Sequence, residues 1–121
     1  MDKPYILAVD DEELNLIILA ELLSEKYELS CVKNGLNCLE SVSERRPDLI
    51  LMDVNMPTMN GIEACFRLKN QASTKTLPII MLSALASDTE SQSGLKAGAN
   101  AYLSKPFKTD ELLKIIKTHL A

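Results

Sequence analysis

Residues 48–53 read DLILMD, a short apolar run that ends in a carboxylate. Two other runs share this plan, since Tyr5–Val9 is followed by two aspartates and Ala101–Ser104 by a lysine. Such short, nearly continuous apolar segments are typical of parallel strands that are covered on both faces. In open sheets of this kind, ligands bind outside the carboxyl ends of the strands. We therefore expect the functional residues of this chain at these three strand ends.

Strand and helix patterns alternate along the chain. Further strands are predicted at Leu29–Val32 and Leu77–Leu82. Apolar residues recur at helical spacing between the strands, and the first two helices are expected to bury one stripe each. These residues are Leu14, Ile17, Ile18 and Leu22, then Leu36, Leu39 and Val42, then Ile62, Cys65 and Phe66, and finally Leu112, Leu113, Ile115, Ile116 and Leu120. This order predicts an α/β fold, a doubly wound five-stranded parallel sheet with five helices on its two faces.

The fourth predicted helix has the weakest sequence signal. Ser87 and Glu90 have the spacing of a capping box, and the helix is expected to end near Gly98. Residues 91–94 read SQSG, which gives poor helix propensity and little apolar area. We therefore expect this helix to be the most mobile element.

Composition limits the classes of function. With 121 residues, 46% of them hydrophobic, the chain fits one domain, residues 1–121, around a single core. The net charge of −4 argues against nucleic-acid binding, which needs clustered lysines and arginines. No run reaches the roughly 20 apolar residues of a membrane span, and no signal-peptide pattern is present, so we expect a cytoplasmic location. The cysteines lack metal or disulfide spacing and are expected to be reduced.

Three aspartates, Asp10, Asp11 and Asp53, converge if the first and third strands are neighbours. Carboxylates that share one edge repel one another unless a cation neutralises them. Oxygen ligands without histidine or thiolate favour a hard ion, and Mg²⁺ commonly binds carboxylates together with a phosphate, with Mn²⁺ as the alternative. The sequence therefore indicates a metal-dependent reaction of a phosphate.

Lys105 and Ser83 supply the groups that a phosphoryl group needs near such a metal. The ammonium can pair with one phosphoryl oxygen, and the hydroxyl can donate a hydrogen bond to another. No ordinary general base is evident, but a carboxylate can itself be the nucleophile when a metal and an amine shield the charge. Asp53, central in the predicted sheet and at a strand end, is the best candidate for that nucleophile.

Together these residues resemble a known family, the response-regulator receiver domain of two-component signalling. The resemblance covers essentially the whole chain, in the family's order and at similar spacing. The matching residues are Asp10-Asp11, Asp53, Met56-Pro57, Gly61, Ser83-Ala84 and Lys105-Pro106. The resemblance implies a flavodoxin-like fold with strand order 2-1-3-4-5.

The resemblance also implies a reaction. A histidine kinase or a histidine phosphotransfer protein would donate the phosphoryl group of a phosphohistidine to Asp53 in a Mg²⁺-dependent phosphorelay step. Asp10 and Asp11 would hold the metal directly or through water, and Asn55 would contribute its backbone carbonyl. The chain would be a signalling phosphoacceptor that catalyses only its own phosphorylation and dephosphorylation, and not a metabolic enzyme.

Ser83 and Lys105 would bind the phosphoryl group, by the same resemblance. The family also has an aromatic switch, matched by Tyr102, that turns inward when Ser83 moves toward that group. The surface of the fourth helix, fifth strand and fifth helix would then change and control an output domain or protein. The Lys105–Pro106 peptide bond is expected to be cis. Leu85 is apolar where some members are polar, which leads us to expect a long-lived phosphorylated state.

Taken singly, the site residues have simpler interpretations. An aspartate at position 10 or 11 could cap the first helix. Asp53 and Ser83 could form turns, and Lys105 could be an ordinary surface residue. Their joint placement at strand ends favours the functional interpretation. The resemblance also sets Asn15 near the acidic cluster, in a minor supporting role.

Two other functions would use the same residues. An aspartate-nucleophile phosphatase of the haloacid-dehalogenase type usually has a second acidic residue two positions after its nucleophile. This chain has Asn55 there, and the missing carboxylate disfavours turnover of a phosphate ester. A receiver-like binding module would work without phosphorylation, although all the expected residue types are present here. The sequence leaves open the cognate kinase, the output pathway, whether the chain stands alone or belongs to a longer protein, and whether phosphorylation makes it dimerise.

Overall fold

The structure is a computed structural model that describes residues 3–54, 56–83 and 96–120. Three of the predictions concern residues outside these ranges and stay predictions. They are the fourth helix, the metal-binding carbonyl of Asn55 and the effect of Leu85.

Five parallel strands form one sheet within the described residues. They are β1 (Tyr5–Val9), β2 (Glu28–Val32), β3 (Leu49–Asp53), β4 (Ile79–Ser83) and β5 (Ala101–Ser104). Their order is β2-β1-β3-β4-β5, and every neighbouring pair is parallel. This is the doubly wound, flavodoxin-like order that was predicted. It sets the carboxyl ends of β1 and β3 side by side in the middle of the sheet.

Four helices lie within the part of the chain that the structure describes. They are α1 (Glu13–Leu23), α2 (Gly35–Glu44), α3 (Gly61–Lys69) and the C-terminal helix (Thr109–His119). Asparagines cap two of them, since the Oδ1 atom of Asn34 accepts a hydrogen bond from the N–H of Asn37, and that of Asn60 from the N–H of Glu63. None of these four helices is long and apolar enough to span a membrane.

Side chains of each strand alternate between the two faces of the sheet, so each face has its own core. One core joins the strands to α2 and α3 and includes Leu7 and Met52. The other joins them to α1 and the C-terminal helix and includes Ile6 and Ile116. All three cysteines are free thiols, as predicted. Helices therefore cover both faces, which leaves the ends of the strands as the open edges of the domain.

The buried face of α1 differs from the prediction. The apolar residues chosen from the sequence pattern include three that are 66%, 54% and 45% exposed, namely Leu14, Ile17 and Ile18. The residues that α1 buries are Leu16, Leu19 and Leu23. Because α1 has apolar residues on most of its sides, helical spacing alone does not select the side that packs on the sheet. The predicted stripe was therefore wrong, and α1 leaves an apolar face exposed.

Two other apolar residues placed at helical spacing also lie outside the cores. Leu36 of α2 is 45% exposed and Phe66 of α3 is 54% exposed. In α2, the buried positions include Cys38 and Val42. Single exposed apolar residues of this kind are common on protein surfaces.

The start of β4 also differs from the prediction, which began this strand at Leu77. The N–H of Leu77 donates to the carbonyl of Thr74 at 3.0 Å, so Leu77 belongs to a turn. Pro78 has no N–H to donate, and its carbonyl accepts a hydrogen bond from Ile50 at 2.9 Å. The strand therefore begins at Ile79.

Close backbone contacts fix the loop between β3 and α3. The N–H of Gly61 donates to the carbonyl of Val54 at 2.9 Å, and a Cβ atom at position 61 would overlap the carbonyl oxygen of Asp53. On the other side, the N–H of Gly35 in α2 donates to the carbonyl of Met59 at 3.0 Å. The helix α3 therefore begins directly against the backbone of the aspartate that ends β3.

We expect Gly61→Ala to lower the free energy of unfolding by about 1–3 kcal/mol, because the added methyl group must displace either the backbone of Asp53 or the start of α3. Urea unfolding followed by circular dichroism measures this change. Ser43→Ala, on the exposed side of α2, is the control and should change the free energy by less than about 0.5 kcal/mol. Equal stability of the Gly61→Ala and native chains would contradict the close contact.

Candidate functional site

The three predicted aspartates meet at one edge of the sheet. Asp10 follows β1 and Asp53 ends β3, and these strands are paired so that Val9 lies opposite Met52. Carboxylate oxygens of Asp10, Asp11 and Asp53 all lie within 4.8 Å of one another. Asp10 is 2% exposed and Asp53 is 8% exposed, whereas Asp11 is open to solvent. The cluster therefore has two buried carboxylates and one at its mouth.

Protein groups hold both oxygens of Asp10. Its Oδ1 atom accepts a hydrogen bond from the N–H of Glu12 at 2.9 Å. Its Oδ2 atom accepts one from the Nδ2 atom of Asn15 at 3.2 Å and one from the Nζ atom of Lys105 at 2.8 Å. The bond to Glu12 orders the turn before α1, so Asp10 supports the entry to this helix as well as forming part of the cluster.

Lys105 brings a positive charge close to these carboxylates. It follows β5, and its N–H donates to the carbonyl of Ser83 at 2.7 Å, which ties it to the end of β4. Its Nζ atom lies 2.8 Å from Asp10 Oδ2 and 3.6 Å from Asp53 Oδ1. The peptide bond between Lys105 and Pro106 is cis, as predicted. In this arrangement the ammonium pairs more closely with Asp10 than with Asp53.

The surroundings of Asp53 favour its protonated form. The pKa of Asp53 is raised to about 6, because burial and the negative charges of Asp10 and Asp11 outweigh the Lys105 ammonium and the N–H of Val54, which lower it. Loss of hydration is the largest of these causes. A cation placed among the three carboxylates would favour the ionised form and lower this pKa.

The donor set fits a hard divalent cation. The grouped ligand atoms are all carboxylate oxygens, which suits Mg²⁺ or Mn²⁺ and not a soft metal. When ionised, the three aspartates carry −3, and the Lys105 ammonium adds +1, so the cluster keeps a charge of −2. One divalent cation would neutralise that charge.

Ser83 and Tyr102 lie on the neighbouring strands β4 and β5. Ser83 is fully buried at the end of β4, and Ser104 lies opposite it in the register. Tyr102 lies opposite Met81, and its half-buried side chain packs against the core on the side of α2 and α3. The structure thus brings Ser83 to the same sheet edge as Asp53 and Lys105, and the switch role of Tyr102 stays a prediction.

Asn15 lies at the cluster, as expected. It contacts the cluster directly, whereas the resemblance implied only a minor supporting role. It is the third residue of α1, and its amide donates directly to Asp10. Spacing gave no such signal, because Asp10 lies before the helix and residues five apart do not share a helix face.

An apolar cavity adjoins the cluster and was not predicted. Its volume is about 380 Å³, and its polar rim includes Asp10, Asn15 and Lys105. Its apolar lining comes from α1, β4 and the segment after β5, through Ile18, Leu19, Leu82, Pro106 and Phe107. The prediction missed it because Ile18 was assigned to the buried face of α1.

Comparisons with known proteins agree on one family. Residues 6–117 match the family model described as the response regulator receiver domain. The phosphate regulon transcriptional regulatory protein PhoB of Rhizobium meliloti is 39% identical over 118 residues, which cover 97% of this chain and 52% of PhoB. The polar-differentiation response regulator DivK of Brucella anthropi is 34% identical over 116 residues, which cover 95% of this chain and 94% of DivK. The chain thus spans about half of one relative and nearly all of the other.

A solved structure has the same fold. The receiver domain of the sensor histidine kinase PA1611 from Pseudomonas aeruginosa, crystallised with a magnesium ion coordinated in its active site cleft, superposes with a TM-score of 0.91. It is 33% identical, and the match covers 98% of each chain.

In buffer without divalent cations, we expect Asp53→Asn to become increasingly more stable than the native chain as the pH rises. The folded native chain holds the Asp53 proton with a pKa of about 6, above the ordinary 3.8. Between these values the folded state binds more protons than the unfolded state, so its stability falls as the pH rises, and the asparagine variant lacks this loss. At about pH 7 the variant should be more stable by about 1–2 kcal/mol, less than the full pKa difference because water screens the charges.

Urea unfolding at several pH values measures this difference. Asp110→Asn, at an exposed aspartate of the C-terminal helix, is the control for the change of side chain itself. If the difference between Asp53→Asn and the native chain did not change between about pH 4 and about pH 7, the raised pKa of Asp53 would be wrong.

Proposed function

Because this chain belongs to the response regulator receiver family, we propose that it accepts a phosphoryl group on Asp53 from a phosphohistidine of a partner protein. The whole chain, residues 1–121, acts as one receiver domain of a two-component phosphorelay in the cytoplasm. The observation that carries the proposal is the position of Asp53, a buried carboxylate at a central strand end with two further aspartates and a lysine around it. This is the set of charges that transfer to a carboxylate requires.

In the proposed reaction, a carboxylate oxygen of Asp53 forms a bond to phosphorus as the bond between phosphorus and the donor's imidazole nitrogen breaks. The electron pair of that bond stays on the imidazole, which leaves as a neutral group when its other nitrogen carries a proton. The nucleophile is already ionised above its pKa of about 6, so it needs no general base. Lys105, 3.6 Å from Asp53, pairs with one phosphoryl oxygen, and the Ser83 hydroxyl donates a hydrogen bond to another.

A Mg²⁺ ion, or Mn²⁺ in its place, would be held by Asp10, Asp11, Asp53 and the backbone carbonyl of Asn55. When bound, such an ion offsets the charge on the carboxylates and on the phosphoryl oxygens. The fit of the carboxylate oxygens supports this assignment, as does the magnesium ion named for the PA1611 receiver domain.

The phosphorylated chain acts as a switch and is not an intermediate in the turnover of a metabolite. The chain catalyses its own phosphorylation and its own slow hydrolysis. Ser83 moves toward the phosphoryl group, Tyr102 turns inward, and the surface around β5 and its flanking helices changes to control an output. The phosphoryl group can only favour the state with which it makes better contacts, so the switch is a shift in population.

The partner docks on the exposed apolar face of α1. A phosphohistidine can reach Asp53 only if the donor covers the open edge of the sheet, and α1 borders this edge. Its face carries Leu14, Ile17 and Ile18, which are 45–66% exposed. Ile18 also lines the apolar cavity that runs from α1 to Lys105. The occupant that fits is a helix of the donor protein with apolar side chains beside its phosphohistidine.

We expect the native chain to gain one phosphoryl group, seen by intact mass, when it is incubated with Mg²⁺ and acetyl phosphate. Asp53→Asn and the native chain with excess chelator should gain none, because one lacks the nucleophile and the other the metal. A phosphatase would instead consume many equivalents, and a phosphorylation-independent module would gain none. Phosphorylation of Asp53→Asn at the native rate would exclude Asp53 as the acceptor.

Ile18→Glu tests the docking face. The donor is an autophosphorylated histidine kinase or phosphotransfer protein that a screen shows to phosphorylate the native chain. We expect Ile18→Glu to slow phosphoryl transfer from this donor at least about fivefold more than it slows phosphorylation by acetyl phosphate. The reason is that the charge of the glutamate, buried in the contact with the donor, disrupts an apolar interface. Leu36→Glu, an equally exposed leucine on α2, is the matched control and should slow both reactions equally. Equal slowing of both reactions by Ile18→Glu would place the donor elsewhere.

A further inference from the structure

Two donors share one oxygen of Asp10. Lys105 Nζ lies 2.8 Å from Oδ2, and Asn15 Nδ2 lies 3.2 Å from the same atom. The other oxygen, Oδ1, accepts a hydrogen bond from the N–H of Glu12. A carboxylate oxygen has room for two donors, so Oδ2 is filled while Oδ1 keeps a lone pair. Because Asp10 is 2% exposed, these protein groups set its orientation.

The two donors to Oδ2 are not equivalent in the proposed reaction. Lys105 also faces Asp53, 3.6 Å away, and a phosphoryl group there would draw the ammonium toward it. Its contact with Asp10 then weakens. The amide of Asn15 has no net charge, is not attracted to the phosphoryl group, and stays as the donor to Oδ2.

The position of Asn15 suits this role. It is half-buried on the first turn of α1, where it contacts Asp10 and lines the apolar cavity. The next residue, Leu16, is buried in the core together with Leu19. The backbone that carries the amide is therefore anchored to the sheet.

We propose that Asn15 is a positioning residue that sets the metal affinity of the site. Its amide holds the Asp10 carboxylate through Oδ2 both before and after Lys105 pairs with the phosphoryl group, so that Oδ1 stays oriented for the cation. This inference rests on the proposed function and adds to it a residue outside the group of carboxylates, lysine and serine.

Magnesium binding tests this role without requiring phosphorylation. Titration with Mg²⁺ alone, followed by isothermal titration calorimetry, gives the Kd for the native chain and for Asn15→Ala, Asn15→Gln and Asn37→Ala. Asn37 is also the third residue of its helix, but it lies exposed on α2. We expect Asn15→Ala to raise the Kd by about tenfold, at the low end of the effects of residues that hold metal ligands. Asn15→Gln keeps an amide and should recover part of the affinity, and Asn37→Ala should match the native chain.

Phosphorylation by acetyl phosphate gives a second readout. Asn15→Ala should raise the Mg²⁺ concentration for half-maximal rate by the same factor as the Kd, with a much smaller change in the rate at saturating Mg²⁺. A merely structural role would lower the melting temperature and leave the Kd unchanged. A Kd for Asn15→Ala within about twofold of the native value would overturn the inference. If the native chain binds Mg²⁺ but takes no phosphoryl group, the proposed function fails, while the calorimetry still decides the role of Asn15.

Discussion

The repulsion among three carboxylates at the ends of β1 and β3 is the constraint on which the site depends. Asp10 and Asp53 are buried, so water screens their charges poorly. The lysine that offsets part of this charge comes from β5, two strands away from β3 in the sheet. The strand order brings these groups together, so the site depends on this sheet topology.

The packing of the domain holds these charges in place. The residues that precede the site side chains, Val9, Met52 and Leu82, are all buried in the cores on the two faces of the sheet. The strand ends are therefore rigid, and a group mounted on them keeps its position better than one on a loop. The contact of Gly61 with the backbone of Asp53 adds a restraint from α3.

Sequence reasoning predicted the sheet well because four of the five strands are short apolar runs that end at or just before a residue of the site, β2 being the exception. It predicted α1 as a helix but selected the wrong face, since Leu14, Ile17 and Ile18 recur at the same spacing as residues of a core. The hydrogen bond from Asn15 to Asp10 and the raised pKa of Asp53 depend on distances and burial in the folded chain. No pattern of residue types contains that information, so these features had to come from the structure.

The apolar residues of α1 form two sets, one that stabilises the fold and one that is exposed on the outer face. Leu16, Leu19 and Leu23 attach the helix to the sheet, whereas Leu14, Ile17 and Ile18 contribute little to the core. With the donor docked on this face as proposed, substitutions there would alter recognition at little expense in stability. Gene duplication followed by drift at these few positions would thus be sufficient to insulate one signalling pathway from another while the catalytic edge stays unchanged.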